Sequence, residues 1–218
     1  MAAESLENRK KRAGKVFAEL RKLYPDVKCS LNHVSPLELL VATILSAQCT
    51  DERVNIVTAG LFKKYRSAED YANSSQEEFE SDIRSTGFYR NKAKNIRAAA
   101  ALLVSDFGGK VPQTMDELLR LPGVARKTAN VVLGNAFGIN AGFVVDTHVI
   151  RLSGRLGFTK NSDPVKIEQD MMAITPQKDW AIDSHLLVFH GRNYCMARKP
   201  NCAACPLAKK KLCPSAEI

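Results

Sequence analysis

Read for hydrophobic spacing, the chain is a succession of helices. Ala129, Val132, Leu133 and Ala136 fall at i, i+3, i+4 and i+7, the spacing of one buried helical face. They follow directly on the turn-makers Pro122 and Gly123. In "SPLELLVATILSAQ", Ser35 is placed as N-cap, Pro36 as a first-turn residue and Glu38 as the return partner of a capping box. "TMDELLRL" repeats the device with Thr114 and Glu117. Residues 92–104, rich in alanine and other good helix formers, run into the turn "DFGGKVP". Asp163 with Pro164 opens another helix through Met171 and Met172. Convincing period-2 alternation is missing: "GFVV" at 142–145 is the single short strand candidate, and it reads equally as a buried connector. The pattern predicts an all-α fold of about ten short helices without internal repeats. No long Gly/Ser or Pro-rich linker interrupts it, so a second domain is expected to pack against the first, with the chain passing between them more than once.

Size permits one large or two small domains, since 218 residues at 45% hydrophobic can bury a substantial core. Charge narrows the partners. Lys and Arg total 32 against 23 Asp and Glu, a net charge of +9, which suits a phosphate-rich partner or an anionic membrane surface, or is simply a solvated charged exterior. The opening "MAAESLENRKKRAGKVFAEL" contains no seven-residue apolar core, so no secretory signal is expected. No apolar run approaches the roughly 20 residues that span a bilayer. An intracellular, soluble, monomeric protein without a membrane partner is the expectation, and in a reducing compartment its six cysteines suit thiols or metal ligation better than disulfides.

Three constellations could carry chemistry. In "MDELLRLPGVARKTANVVLGNAF" two helical patterns meet at the tight turn Pro122–Ala125. This is a helix–hairpin–helix, whose turn and second N-terminus offer N–H groups to a DNA phosphate, or else a plain structural hairpin. Arg126 and Lys127 place two cations in that helix's electropositive first turn. The helix end, Arg126 and an expected partial burial would all favour neutral amine at Lys127, and a neutral amine is a nucleophile that forms Schiff bases. Pairing of Lys127 with a DNA phosphate is the other reading, and the residues alone do not rank the two. In "VVDTHVIRLSGRLGF", Asp146 is positioned as a helix N-cap, a role compatible with that of a carboxylate balancing charge on a sugar carbon. His148 reads as a structural histidine. In "CMARKPNCAACPLAKKKLC", Cys195, Cys202, Cys205 and Cys213 are separated by six, two and seven residues. Four thiolates so close suit one metal centre, with zinc and an iron–sulfur cube equally open on spacing. Arg198, Lys199 and Lys209–Lys211 ride on the same loops as candidate phosphate contacts, whereas Cys29 and Cys49 read as buried thiols.

Taken in order, "LSAQCTD", "TGFYRNKAKNI", "LPGVARKTANVVL", "VVDTH" and "HGRNYCMARKPNC" resemble the sequence blocks of the endonuclease III family of helix–hairpin–helix DNA glycosylases. The resemblance runs over nearly the whole chain, from Ala13 to Cys213. It implies two packed helical domains with a DNA-binding cleft between them: residues 1–30 with 141–218, carrying the cluster, and a six-helix bundle over 31–140 that bears the hairpin. It implies Lys127 as nucleophile and Asp146 as catalytic acid. Gln48 would fill the hole left by the flipped base, Phe88 of "GFYR" would wedge against the opposite strand, and Gly123, Ala125, Arg126, Arg198 and Lys199 would contact DNA. The four cysteines would hold a 4Fe–4S cluster rather than zinc. The implied activity is excision of oxidised pyrimidines from double-stranded DNA, followed by β-elimination at the abasic site through a Schiff base. Two departures from the family pattern stand out. Ala125 replaces the hairpin's usual second glycine, which would strain the turn if that site needs positive φ, and the last cysteine gap is seven residues where five is commoner. Two alternatives accompany this expectation. An adenine-mismatch glycosylase shares hairpin and cluster but lacks this lysine and uses a Glu near "LSAQCTD" that is absent here. A non-catalytic DNA-binding module with a zinc-stabilised tail would keep the basic surface without the chemistry.

Overall fold

The computed structural model describes residues 4–216 and, within them, contains α-helices, two short 3-10 turns and no strand. The helices are α1 (Leu6–Leu23), α2 (Pro36–Leu45), α3 (Asp51–Lys64), α4 (Ala68–Asn73), α5 (Gln76–Ile83), α6 (Tyr89–Phe107), α7 (Met115–Leu119), α8 (Arg126–Ala136), α9 (Thr147–Arg155), α10 (Pro164–Ile174), α11 (Trp180–Asn193) and α12 (Pro206–Lys209). None of them is long and apolar enough to cross a membrane.

Side-chain caps set most of the starts. Ser35 accepts the Glu38 N–H at 3.2 Å, and Asp163 accepts that of Lys166 at 3.0 Å with Pro164 in the first turn. The expected capping boxes close differently. Glu38 reaches past the cap to accept the Val34 N–H at 2.6 Å, and Glu117 takes its bond from the Thr114 hydroxyl at 2.6 Å. The complete reciprocal box is instead at Ser67 and Asp70. The helix over the alanine-rich stretch begins at Tyr89, earlier than composition suggests, and ends where left-handed Gly108 lets the Gly109 N–H bond Leu103 O at 2.8 Å. "GFVV" is a connector: Phe143 and Val144 are buried without pairing as a strand.

The chain divides into two compact units. Cys29–Ala141 holds α2 to α8, built around α2, whose residues Leu39–Leu45 are all buried, and the apolar face Ala93, Ile96, Ala99, Ala100 and Leu103 of α6. Tyr65, Tyr71 and Phe79 pack ring against ring in the same unit, with centroids 5.1–5.7 Å apart. The other unit joins Met1–Lys28 to Gly142–Ile218 and holds α1 with α9 to α12. Its core sets Phe17 and Leu20 of α1 against Val149, Leu152, Met171, Leu186 and Leu187, with Phe17 stacked on Phe158 at 6.1 Å.

Candidate nucleic-acid interface and cysteine centre

Within the unit Cys29–Ala141, α7 and α8 are joined through Arg120–Ala125. Leu118, Leu121 and Val124 anchor the turn in the core, and Gly123 makes its bend at φ +79. A Cβ on Gly123 would also stand 2.9 Å from Asn95 Cβ, so glycine is needed for both conformation and space. Ala125 corrects the expectation of strain. Its φ of −98 and ψ of 171 are ordinary extended backbone, and the missing glycine costs this turn nothing. As N-cap of α8, however, Ala125 offers no side-chain acceptor, whereas each of α1 to α5 has a Ser or Thr bonded to its first turn. Ala125 thus gives the opening turn of α8 no side-chain cap bond, and a helix start of this kind can receive an anion.

Arg126 and Lys127 flank these groups, and both are exposed. The partial burial expected of Lys127 is thus not found. The stripe behind it is buried through Ala129, Val132 and Leu133, while the side chain of Lys127 itself is exposed. Lys127 lies within electrostatic range of half-buried Cys29, whose thiol is pushed up chiefly by burial, with Asp51 adding to the shift and Lys127 opposing it. Cys49 is also half-buried, so the burial expected of the two outlying thiols is only partial.

Gln48, Phe88 and Gly123 come together around one open pocket, lined also by Ile44, Ala47, Asn91, Lys92 and Asn95. Phe88 stands out at 64% exposure. Gln48 at φ +52 and Phe88 at φ +48 are both left-handed, a conformation that costs a non-glycine residue about 1–2 kcal/mol. Lys92 is the unexpected member. It is buried at 4% exposure and its Nζ donates to Leu45 O and Thr86 O, both at 2.8 Å. Burial holds its ammonium below the ordinary lysine range. The signal that would have found it is its place at 92 in the series 92, 96, 99, 103, whose other members are the buried Ile96, Ala99 and Leu103.

In the other unit, Asp146 caps α9, its Oδ1 accepting the Val149 N–H at 2.8 Å, and the side chain is half-buried. His148 Nδ1 lies 3.0 Å from Arg151 Nη2, and Arg151 in turn donates to Cys195 O at 3.0 Å.

Cys195, Cys202, Cys205 and Cys213 line one pocket with Leu152, Leu156, Leu207 and Ala208. Arg155 holds its rim, donating to Cys195 Sγ at 3.2 Å and to Met196 O at 2.7 Å, while His190 Nε2 faces Cys205 Sγ at 3.3 Å. The long last gap is taken up by α12 and the left-handed Lys211, with Leu212 N bonded to Leu207 O at 2.9 Å. Among the described residues no three His, Cys, Asp or Glu side chains are arranged to hold a single metal ion. Arg198 and Lys199 are exposed on the loop between the first two cysteines, and Lys210 pairs with Glu19 at 2.6 Å.

Residues 41–177 match the model of the HhH-GPD superfamily base excision DNA repair protein. The chain is 57% identical over 212 residues to endonuclease III of Synechocystis sp., covering 97% of this chain and 96% of that one. Among solved structures it is similar to a non-covalent endonuclease III–DNA complex, with 48% identity and a TM-score of 0.89 over 95% of this chain and 96% of the other. It is similar also to a trapped endonuclease III–DNA covalent intermediate with an estranged adenine, at 47% identity and a TM-score of 0.89 over the same shares.

Proposed function

The chain belongs to the HhH-GPD superfamily of base excision DNA repair proteins and, within it, to the endonuclease III family, and from this we infer that it is a bifunctional DNA glycosylase and abasic-site lyase acting on oxidised pyrimidines in double-stranded DNA. The observation that carries the reading is an exposed lysine, Lys127, on the uncapped first turn of α8 directly behind the hairpin. Amide N–H groups hold the phosphate there, which brings the deoxyribose to the amine. Since Lys127 is exposed, its desolvation comes from the seated nucleotide rather than from the fold.

The damaged base is drawn out of the stack, a step costing a few kcal/mol and less for a weakly stacked lesion. Lys127 Nζ attacks C1′, the C1′–N bond breaks, and the base departs with its electron pair and takes up a proton. Asp146 balances the positive charge that develops on the sugar, and its capping bond fixes the carboxylate's direction. The sugar ring opens to an imine on Lys127. Loss of a C2′ proton then expels the 3′ phosphate and nicks the strand. Gln48 and Phe88 stand in for the extruded base and part the opposite strand, while Gly123, Ala125 and Arg126 hold the backbone.

Cys195, Cys202, Cys205 and Cys213 are the residues to hold a 4Fe–4S cluster. Support comes from four thiols around one shared pocket, where a zinc site needs its sulfurs within about 2.3 Å of a single ion. When bound, the cluster supplies a covalent staple for the loops that carry Arg198 and Lys199.

Borohydride trapping on a duplex containing thymine glycol tests the activity. The parent protein is expected to form a covalent adduct, and Lys127→Ala to form none. Equal cross-linking by both would remove Lys127 from the mechanism.

A further inference from the structure

We propose that Lys92 is a positioning residue for base extrusion, tying the loop that carries Gln48 to the turn that carries Phe88. The inference rests on the function proposed above for those two side chains. Leu45 is the last residue of α2, and the chain runs from it through Ser46 and Ala47 to Gln48. Thr86 closes the 3-10 turn Arg84–Thr86, and Gly87 alone separates it from Phe88. The Lys92 ammonium bonds the carbonyls of both Leu45 and Thr86 at 2.8 Å and lines the pocket that Gln48 and Phe88 share.

Three physical points argue against an incidental contact. An apolar side chain would fill the 92, 96, 99, 103 stripe of α6 without the penalty of burying a charge. Lys92 also lies in the first turn of α6, where the helix dipole disfavours a cation. Its bonds instead serve the C-terminus of α2, where carbonyls lack helical partners, and a compact ammonium has donors enough for both oxygens. Finally, Gln48 and Phe88 are two of the four left-handed non-glycine residues among those described. Strained backbone of this kind persists where its surroundings over-determine it. Lys92 pins the chain three residues before Gln48 and two before Phe88.

The variant Lys92→Met keeps most of the unbranched stem and removes the donors, and Lys92→Gln, of similar reach, keeps an amide donor group for use if the first does not fold. Three readouts apply: single-turnover base release from a thymine glycol duplex, nicking of a single-stranded abasic oligonucleotide that needs no extrusion, and fluorescence of 2-aminopurine placed opposite the lesion. Base release is expected to fall about tenfold or more, as for other misplaced groups. Nicking of the single strand should stay within about twofold, because only the extrusion step is touched, and the fluorescence rise on binding should be lost. Parallel loss on both substrates, or an unchanged fluorescence rise, overturns the proposal. A parent protein that releases no base would overturn the function instead, and the 2-aminopurine response would still decide the part played by Lys92.

Discussion

Gly123 and Ala125 show how differently two neighbouring small residues are constrained. Gly123 meets both a positive φ and the side chain of Asn95, so any Cβ is resisted twice. Ala125 meets neither constraint, and what sets it apart is the acceptor it lacks. Its extended backbone already suits an N-cap, so Ala125→Ser should stabilise the protein by about 1 kcal/mol. The serine oxygen would occupy N–H groups that a phosphate needs, so affinity for DNA should drop as stability rises, a trade expected where a binding site is left uncapped. Thermal denaturation alongside a binding titration checks both signs. Gains in both would mean that the first turn of α8 does not hold the phosphate. The capping role of Asp146 was legible from its position before an apolar run, and the bond to Val149 N bears it out. The exposure of Lys127 was not legible, because what covers a first-turn side chain depends on elements remote in sequence.

At the level of elements, Ser35, Thr114 and Asp163 announced their helices because a short polar side chain before an apolar run has few better uses than a cap. The start of α6 gave no such signal. Its N-cap is a left-handed Phe88 without a capping bond, a conformation that propensity disfavours and that local pattern therefore does not predict. Lys92 was passed over for a related reason, since a lysine in a basic stretch reads as solvated until its partners Leu45 and Thr86 are known. Between α1 and α11, buried Asp183 faces Arg21 at 2.5 Å, and burial pushes its carboxyl up to about 7, with Arg21 opposing the shift and Asp179 adding to it. The proton is thus held more tightly in the fold than in the unfolded chain. The stabilisation this gives is complete below the unfolded value of 3.8 and is lost as pH rises through about 7. Asp183→Asn should remove that dependence, so the stability of the parent relative to the variant should decline between these pH values. A difference constant with pH would contradict the burial argument.

Across the whole molecule, the all-helical class was legible because the 3.6-residue period recurs with caps at its starts and convincing alternation of period 2 is missing. The centre formed by the cysteines was less so, since their spacing admits zinc and an iron–sulfur cube alike. The common pocket of Cys195, Cys202, Cys205 and Cys213 is compatible with the cluster proposed above. Protein purified without oxygen should be brown and contain iron, and removing the iron should expose the chain from Cys195 to Cys213 to proteases while α2 to α8 stay folded. Colourless protein with stoichiometric zinc would contradict the cluster.

Everything proposed for the reaction converges on one nitrogen. Peptide mapping by mass spectrometry of the borohydride-reduced adduct, formed on a thymine glycol duplex, locates it directly. The sugar remnant is predicted on Lys127. A remnant on the amino terminus, on Lys92 or on any other lysine, with Lys127 unmodified, would contradict the account.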